Sequence, residues 1–563
     1  MSLIFLDIVA FFLFMGVVMA VSLYAGRKEK TSEDYFLAGR QLSWWLIGFS
    51  LIASNISTEH FVGMAGSAFG RVGLAIASYE WMAAIMLVFV AWWLLPRFLK
   101  AGIYTMPEFL EYRYDSATRS IMALYLMGAY ILVFLATVVY SGAVGLTTIF
   151  VVNEWFEVKF GMSPEDATFW ANVSAIWLIG IIAGIYTIYG GLKAVVWSDL
   201  IQGGALLLGG LLVTWLGMRA LGDGSIFAGW ETFVETNQEK LHTVLPWNDP
   251  DVPWLAVFVG GLWIPNCFYW GLNQFITQRT LGAKNLAEGQ KGIFLAAAIK
   301  LMIPFIIVFP GIIAFQLYQN EIPNGDMAYP YLIRHLLPPY LRGIMFAALC
   351  GAVMSSFNSG INSASTIFTV DLYRKYSKRG EVDTRQEVFI GRCSTAVIMV
   401  VACLWAPIVS QFEGVFNYIQ EIWGFITPGI VAAFLVGLVF PKTPAIAAKT
   451  GLLLSVPLYA LCRTPKWIYD WSFQSGNPNA EKIPVPVGWF GTVYSFSSWA
   501  FLHHQFIIFL VLVLVMLAIT KKYPLREPRV MPVSNLDVTP HPLQYPIGLV
   551  LIGLTALLYF IFW

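Results

Sequence analysis

Residues 44–69 read WWLIGFSLIASNISTEHFVGMAGSAF, an apolar stretch that turns polar in its middle, from Asn55 to His60. The stretch is long enough to cross a bilayer. An ionised carboxylate at mid-depth, here Glu59, costs roughly 3 kcal/mol on insertion scales. Irregular backbone is tolerated at that depth where it lines a cavity. The stretch therefore predicts a membrane helix that is interrupted at a site for an ion or a solute.

The composition of the whole chain also indicates a membrane protein. Hydrophobic residues make up 58% and charged residues 12%, about half the charged share of soluble domains. The net charge of +1 gives no electrostatic reason to expect a nucleic-acid partner. The 5 cysteines and 6 histidines show no metal-ligand or disulfide spacing. We also find no nucleophile–base pair or phosphate loop in the sequence, so we do not expect an enzyme.

Fourteen apolar runs are long enough to span a bilayer, which predicts an all-α integral membrane protein. No linker divides the chain, so we expect one transmembrane domain over residues 1–563. The runs cover approximately residues 4–25, 43–69, 75–98, 118–151, 168–189, 195–218, 254–278, 290–317, 336–370, 388–408, 414–439, 443–463, 499–520 and 543–563.

The basic residues of the loops predict the orientation of the chain. If the N-terminus lies outside, the loops that follow the odd-numbered runs carry 24 lysines and arginines, against 9 in the opposite loops. The positive-inside rule then places both termini on the extracellular or periplasmic side of the plasma or inner membrane.

A second interruption lies in the seventh run, where Pro265 follows Gly260 and Gly261. We expect this proline to break the helix in mid-membrane and to free backbone carbonyls. The broken second and seventh runs are five runs apart, so the two five-helix units have opposite orientations. Paired broken helices in inverted halves are typical of the binding site of a secondary transporter. A plain proline kink explains Pro265 alone equally well.

Small and hydroxyl-bearing residues form one stripe along the ninth run. Tight helix packing explains much of this stripe, because small residues let helix backbones approach closely. Three hydroxyls within five positions exceed what packing needs, however. With carbonyls from a broken helix, serine oxygens make a site of hard ligands that suits sodium. The stripe comprises Ala348, Ala352, Ser355, Ser356, Ser359 and Ser363.

Ionisable and amide groups inside other runs point to a pathway through the membrane. They are Glu80, Asp199, Lys300, Gln420 and Glu421. Glu80 and Lys300 could form a structural ion pair, or they could share one polyhydroxylated ligand with the amides. A sugar also needs an aromatic face, for which the candidates are Tyr79, Tyr269, Trp270 and Phe416. An anionic solute would need an uncompensated cation, and Lys300 has acidic residues nearby.

Several stretches resemble the sodium/solute symporter family, and most closely its sodium/glucose (galactose) branch. The stretches are residues 34–40 (DYFLAGR), 79–81 (YEW), 189–195 (YGGLKAV), 278–279 (QR) and 355–356 (SS). The resemblance implies a leucine-transporter-type fold of two inverted five-helix repeats, residues 43–218 and 254–439. Residues 1–42 and 440–563 would then be peripheral.

The resemblance also implies roles for individual residues. Sodium would be bound by the backbone carbonyls of Ala53, Ile56 and Ala352 and by the hydroxyls of Ser355 and Ser356. The sugar would contact His60, Glu80, Asn266, Tyr269, Lys300 and Gln420, with Glu59 as a further candidate. Tyr269 would form the inner gate, and Met64, Tyr79 and Phe416 the outer gate. Asp199, Asn358 and Ser359 match a second sodium site of some members, although Asn358 replaces the usual hydroxyl residue.

The resulting hypothesis is sodium-driven import of a monosaccharide, glucose or galactose, by alternating access. His60 stands where the bacterial galactose pattern has glutamine, and Ala83 where it has serine, so the resemblance does not fix galactose as the preferred sugar. Sodium is the coupling ion, no organic cofactor is implied, and the partners are the sugar, sodium and the bilayer. The alternatives are a symporter of the same family for myo-inositol, sialic acid, an amino acid or an organic acid. A sensor or channel that uses the same fold is a further alternative.

Overall fold

The computed structural model describes residues 5–27, 31–57, 59–150, 152–322, 324–377, 384–411, 415–476 and 484–563. Helices dominate these residues, as the all-α prediction requires. Counted in chain order, the spans are Phe5–Gly26, a broken second span of Trp44–Asn55 and residues 59–69, Gly73–Ala101, Ser116–Thr147, the fifth and sixth spans within Pro164–Leu221, Trp254–Leu272, Leu286–Tyr318, Pro339–Tyr376, Thr384–Val409, Val415–Val439, Ala445–Gly476, Phe501–Lys522 and Gln544–Ile561. Shorter helices are Ser32–Leu37, Met106–Arg113, Val152–Phe160, Ile226–Thr236, Gln274–Leu281, Ala328–Leu336 and Gly488–Ser497.

Twelve helices of the described chain are individually long and apolar enough to cross a bilayer. One of them, Pro164–Leu221, has 58 residues and would be about 87 Å long if straight, far more than the ~30 Å hydrocarbon core. It turns at Gly191, whose φ of 49° and ψ of −148° suit a residue without a Cβ, and so supplies two spans. With the broken second span, the helices account for the fourteen predicted segments.

The second span is interrupted where the sequence predicts. Its first helix ends at Asn55, and Ile56 is extended with φ −75° and ψ 111°. Helix resumes at Glu59, and the backbone N–H of His60 donates to the carbonyl of Ser57 at 3.0 Å. Thr58 lies outside the described residues. The polar stretch thus interrupts the helix for about one turn.

The seventh span is interrupted twice, but neither break is at Pro265. The helix Trp254–Phe258 is followed by a turn, and a new helix runs from Trp263 to Cys267. Pro265 lies in the first turn of that helix, where its missing N–H would have no helical partner anyway. The second break is at Asn273, which is extended with φ −84° and ψ 122° before the helix Gln274–Leu281. The prediction that Pro265 breaks the helix was therefore wrong, although the broken span itself is present.

The DYFLAGR stretch holds the ends of several helices together. Thr31 and Asp34 form a capping box at the start of the helix Ser32–Leu37. Arg40 then donates to the carboxylate of Glu33 at 2.8 Å and to backbone carbonyls at the ends of the third and seventh spans. These contacts fix the ends of helices whose middles carry the predicted site.

Candidate functional site

A cavity lies at the level of both broken helices. Side chains from the second, third, fourth, seventh, eighth, ninth and eleventh spans line it. The lining residues are Ser54, Asn55, Ser57, His60, Met64, Tyr79, Glu80, Phe134, Leu262, Pro265, Asn266, Phe268, Tyr269, Trp270, Phe275, Lys300, Ser356, Ile419, Gln420, Trp423 and Thr427. The structure thus brings together all the predicted solute and gate residues except Glu59 and Phe416, whose side chains are not among those described.

Glu80 and Lys300 form a buried ion pair at this cavity. The ammonium of Lys300 donates to Glu80 Oε2 and to Asn55 Oδ1. It also lies 5.0 Å from the centroid of the Trp270 ring, within cation–π range. Because the carboxylate compensates the ammonium, the cavity presents no free positive charge from Lys300. The two groups still face the cavity together, so the pairing and the ligand roles are compatible.

His60 extends this pair from the broken second span. Its Nε2 lies 3.5 Å from Glu80 Oε1. The backbone N–H of Ser57 donates to His60 Nδ1 at 3.4 Å, which leaves the proton of a neutral ring on Nε2, facing the carboxylate. The break in the helix therefore orients a side chain toward the buried charges.

Asn55 connects the two broken helices and was missed as a site residue in the sequence. Its Nδ2 donates to the Tyr269 hydroxyl at 3.0 Å, and its Oδ1 accepts from Lys300. Tyr269 packs edge-on against Trp270 and Phe275. The available signal was its position, since Asn55 is the last helical residue before the break.

Asn266 carries an unused hydrogen-bond donor inside the cavity. The residue is buried, with 8% of its surface exposed, and its Nδ2 has no partner in the described part of the chain. A buried polar group without a partner costs about 1–3 kcal/mol. Gln420, half-buried on the eleventh span, faces the same space. A ligand that accepts hydrogen bonds would satisfy the Asn266 amide.

Two of the predicted sodium residues, Ser355 and Ser356, contact backbone carbonyls of the second span. The Ser355 hydroxyl lies 3.1 Å from the carbonyl oxygen of Ala53, and the Ser356 hydroxyl lies 3.1 Å from that of Ser54. Ser54 and Ser356 also line the cavity. Ile56 and Ala352 are both buried, Ile56 in the break and Ala352 one turn before Ser356. Hydroxyl and carbonyl oxygens are the ligands that a hard cation prefers.

A second buried ion pair, Asp199–Arg279, lies beside these serines. Arg279 Nη2 is 3.1 Å from Asp199 Oδ2, and both residues are fully buried. Ser355 donates to Asp199 Oδ1 at 2.5 Å. The remaining hydrogen-bond partners of the pair are the hydroxyls of Ser50, Ser54 and Ser359 and the backbone carbonyl of Phe275.

Two sequence interpretations need correction, those of Arg279 and Glu421. Arg279 was counted among the cytoplasmic loop charges, but the break at Asn273 carries it into the protein core. The amide nitrogen of Asn358 donates to the Tyr186 hydroxyl, while its Oδ1 has no partner in the described part of the chain. Glu421 pairs with Arg463 and accepts from Trp467 Nε1 at 3.1 Å, so it joins the eleventh span to the twelfth while Gln420 faces the cavity.

Comparisons with known proteins find a matching family and several relatives. The model of the sodium:solute symporter family matches residues 35–454. A sodium/glucose cotransporter of Vibrio parahaemolyticus is 40% identical over 478 residues, covering 80% of this chain and 84% of the relative. Sodium/myo-inositol cotransporter 2 of Mus musculus is 32% identical over 485 residues, covering 80% and 69%. The solved outward-open structure of a Na+-coupled sialic acid symporter superposes with a TM-score of 0.72 at 20% identity, covering 94% of this chain and 99% of that one, which shows a shared fold.

Proposed function

The chain belongs to the sodium:solute symporter family, and from this membership we propose that it imports a monosaccharide, glucose or galactose, by alternating access. Coupling of solute movement to sodium, and a location in a membrane, follow from the family and from the many spanning helices. The identity of the solute, the roles of individual residues and the direction of transport are parts of the proposal.

The main support for a neutral, hydroxyl-rich solute is the polarity of the cavity. Asn266 offers an unused donor, and Glu80 and Gln420 offer further polar atoms to the same space. A sugar hydroxyl both donates and accepts, so it can bond an amide on one side and a carboxylate on the other. An anionic solute is disfavoured, because the Lys300 charge is already compensated by Glu80.

Sodium would act through the contact between the second and ninth spans. An ion held by Ala53, Ile56, Ala352, Ser355 and Ser356 would fix the broken helix against the ninth span. Ser54 and Ser356 face the cavity, so the ion and the solute would share one wall. Coupling through that wall is reciprocal, because each ligand raises the affinity of the other by the same factor.

We do not extend the proposal to a second sodium at Asp199, Asn358 and Ser359. The carboxylate of Asp199 is already paired with Arg279, although Asn358 Oδ1 has no partner in the described part of the chain. A second cation there would have to compete with the guanidinium.

The gates and the orientation complete the proposal. We assign Tyr269 to the inner gate and Met64, Tyr79 and Phe416 to the outer gate. Both termini would lie outside, as the loop charges predict. The inverted units would be residues 43–218 and 254–439, with residues 1–42 and 440–563 at the periphery.

A second candidate solute is myo-inositol. It is also neutral and rich in hydroxyls, so the same cavity groups could bind it, and a relative with that named solute is 32% identical. Sialic acid fits less well, because its carboxylate would face Glu80 without a free cation among the described cavity residues.

The test is uptake into proteoliposomes with an imposed inward sodium gradient. We expect labelled glucose or galactose to accumulate, with less myo-inositol and little sialic acid. Preferred uptake of myo-inositol would replace the monosaccharide with the second candidate. Uptake that is unchanged when choline replaces sodium would contradict the coupling.

A matched pair of variants ties the uptake to the cavity. Asn266→Ala should raise the solute concentration at half-maximal uptake. Cys267→Ala alters the adjacent residue, which faces away from the cavity, and should leave that concentration unchanged. Equal effects of both variants would argue against the cavity as the solute site.

A further inference from the structure

A second, apolar cavity lies behind the broken seventh span. It has a volume of about 460 Å³, within the range of ligand pockets in proteins. Side chains from the third, seventh, eleventh, thirteenth and fourteenth spans form its walls, including Trp92, Trp263, Leu435, Phe509 and Ile552. We call this cavity the apolar groove.

One short piece of the seventh span separates the apolar groove from the solute cavity. Residues 259, 260, 263, 264 and 267 face the groove, whereas residues 262, 265, 266 and 269 face the solute cavity. The two sets alternate at helical spacing. An occupant of the groove would therefore press on the back of the segment that carries Asn266 and Tyr269.

The walls of the groove offer carbon atoms and almost nothing else. The indole N–H of Trp92 donates to the carbonyl of Gln544 at 2.9 Å, and that of Trp263 donates to the carbonyl of Phe258 at 3.1 Å. Both indole N–H groups are therefore already hydrogen-bonded, and neither ring offers a donor to a ligand. The other lining residues are aliphatic, Phe, Met, Cys and Gly. Water in the groove would have no hydrogen-bond partners among these side chains, and an empty groove would lose van der Waals contacts along its walls.

The groove is continuous with the bilayer-facing surface of the protein. Val259 on its rim is 57% exposed. On the two flanking spans, Leu510, Val511, Leu549 and Val550 are also exposed. In a chain that spans a membrane, such apolar surface lies against lipid hydrocarbon. The opening of the groove therefore lies next to the acyl chains of membrane lipids.

We propose that the apolar groove binds one acyl chain of a membrane phospholipid, and that the chain supports the helix Trp263–Cys267 from behind. A flexible hydrocarbon chain fits a wall of mixed Phe, Trp and aliphatic groups without needing a polar partner. A sterol would bring a hydroxyl for which the groove has no free donor or acceptor among its described residues. The lipid site stands on its own geometry, whereas its effect on transport rests on the proposed role of Asn266.

Photolabelling of the full-length protein tests the site. The protein is reconstituted in palmitoyl-oleoyl phosphatidylcholine vesicles that contain a phosphatidylcholine with a diazirine in its acyl chain. Labelled peptides are then identified by mass spectrometry. We expect severalfold enrichment of label on the groove residues of the third and seventh spans over the exposed positions 549 and 550. Equal labelling of groove and surface positions, or labelling by a diazirine sterol alone, would overturn the proposal.

Filling the groove provides the control. Ile552→Trp places a large ring in the groove, and Leu549→Trp makes the same change on the same helix at a lipid-facing position. Groove labelling should fall severalfold in the first variant and persist in the second, and Leu435→Trp should repeat the loss from another wall. Persistent labelling in both filled variants would refute the site. This readout needs no transport, so its failure is separate from a failure of the monosaccharide proposal.

Discussion

The two buried ion pairs of the membrane core have the same chemistry in different surroundings. Glu80–Lys300 borders the solute cavity, and its further partners Asn55 and His60 face that cavity too. Asp199–Arg279 is enclosed between helices, and serine hydroxyls and the carbonyl of Phe275 fill its remaining hydrogen bonds. A pair beside a cavity can exchange a partner for a solute or for water. An enclosed pair that loses a partner has nothing to replace it. Breaking the enclosed pair should therefore impair folding, whereas breaking the pair beside the cavity should impair solute binding.

The largest effect should follow from breaking the enclosed pair. Arg279→Met leaves the carboxylate of Asp199 buried without its cation, which typically costs about 3–5 kcal/mol, a large part of the roughly 5–15 kcal/mol that stabilises a domain. We expect a strong loss of folded protein, measured as monodisperse yield and thermal unfolding in detergent.

The double variant Asp199→Asn/Arg279→Met is the matched control for this prediction. With both charges removed, much of the folded yield should return, because no uncompensated charge remains. If Arg279→Met alone purified and unfolded like the unaltered protein, the enclosed pair would not have the structural role assigned here.

Breaking the pair beside the cavity should cost function more than folding. Lys300→Gln removes a charge-assisted hydrogen bond of about 1.5–3 kcal/mol. The solute concentration at half-maximal uptake should rise about tenfold or more, while water in the cavity can solvate Glu80. An equally severe loss of folded yield in Lys300→Gln and Arg279→Met would contradict the proposed difference between the two ion pairs.

The contact between the second and ninth spans, which lies between the two pairs' helices, should show a smaller and more selective effect. Ser356→Ala removes one hydroxyl from the proposed sodium site, worth about 0.5–1.5 kcal/mol net. The sodium concentration at half-maximal uptake should rise severalfold, with less change in solute affinity at saturating sodium. Ser365→Ala is the control, because its hydroxyl donates to the carbonyl of Gly391 at 2.7 Å on the tenth span. A shift of equal size in the control would argue against a specific role for Ser356.

The smallest effect should come from His60→Gln. Glutamine keeps a donor that can reach Glu80 but loses the ring. We expect uptake within a few-fold of the unaltered protein and a changed ratio of glucose to galactose, measured by competition. An unchanged ratio would show that His60 does not determine the preference between glucose and galactose.

Features set by local chemistry could be predicted from the sequence. The break at residues 55–60 was visible because polar side chains interrupt an apolar run. The pairing of Glu80 with Lys300 was foreseen because a charge in a membrane span needs a partner. The family resemblance gave the positions that line the cavity.

Features set by the tertiary arrangement could not be predicted in the same way. A proline in the first turn of a helix looks the same in a sequence as one in its middle, which is why the breaks of the seventh span were misplaced. Arg279 lies at the end of an apolar run, and only the extended Asn273 carries it inward. The direction of Asn358 depends on Tyr186, which is 172 residues away in the chain.

The contact of Ser355 with Ala53 has a consequence for how the protein is made. The two residues are 302 positions apart, so at about 5–20 residues per second the ribosome needs on the order of 15–60 s to supply the second after the first. During that time the interrupted helix has entered the membrane without the hydroxyls that later meet its carbonyls. A chain that stops before residue 355 would leave this segment unfinished and open to proteolytic quality control. The ninth span thus completes a helix that was synthesised seven spans earlier.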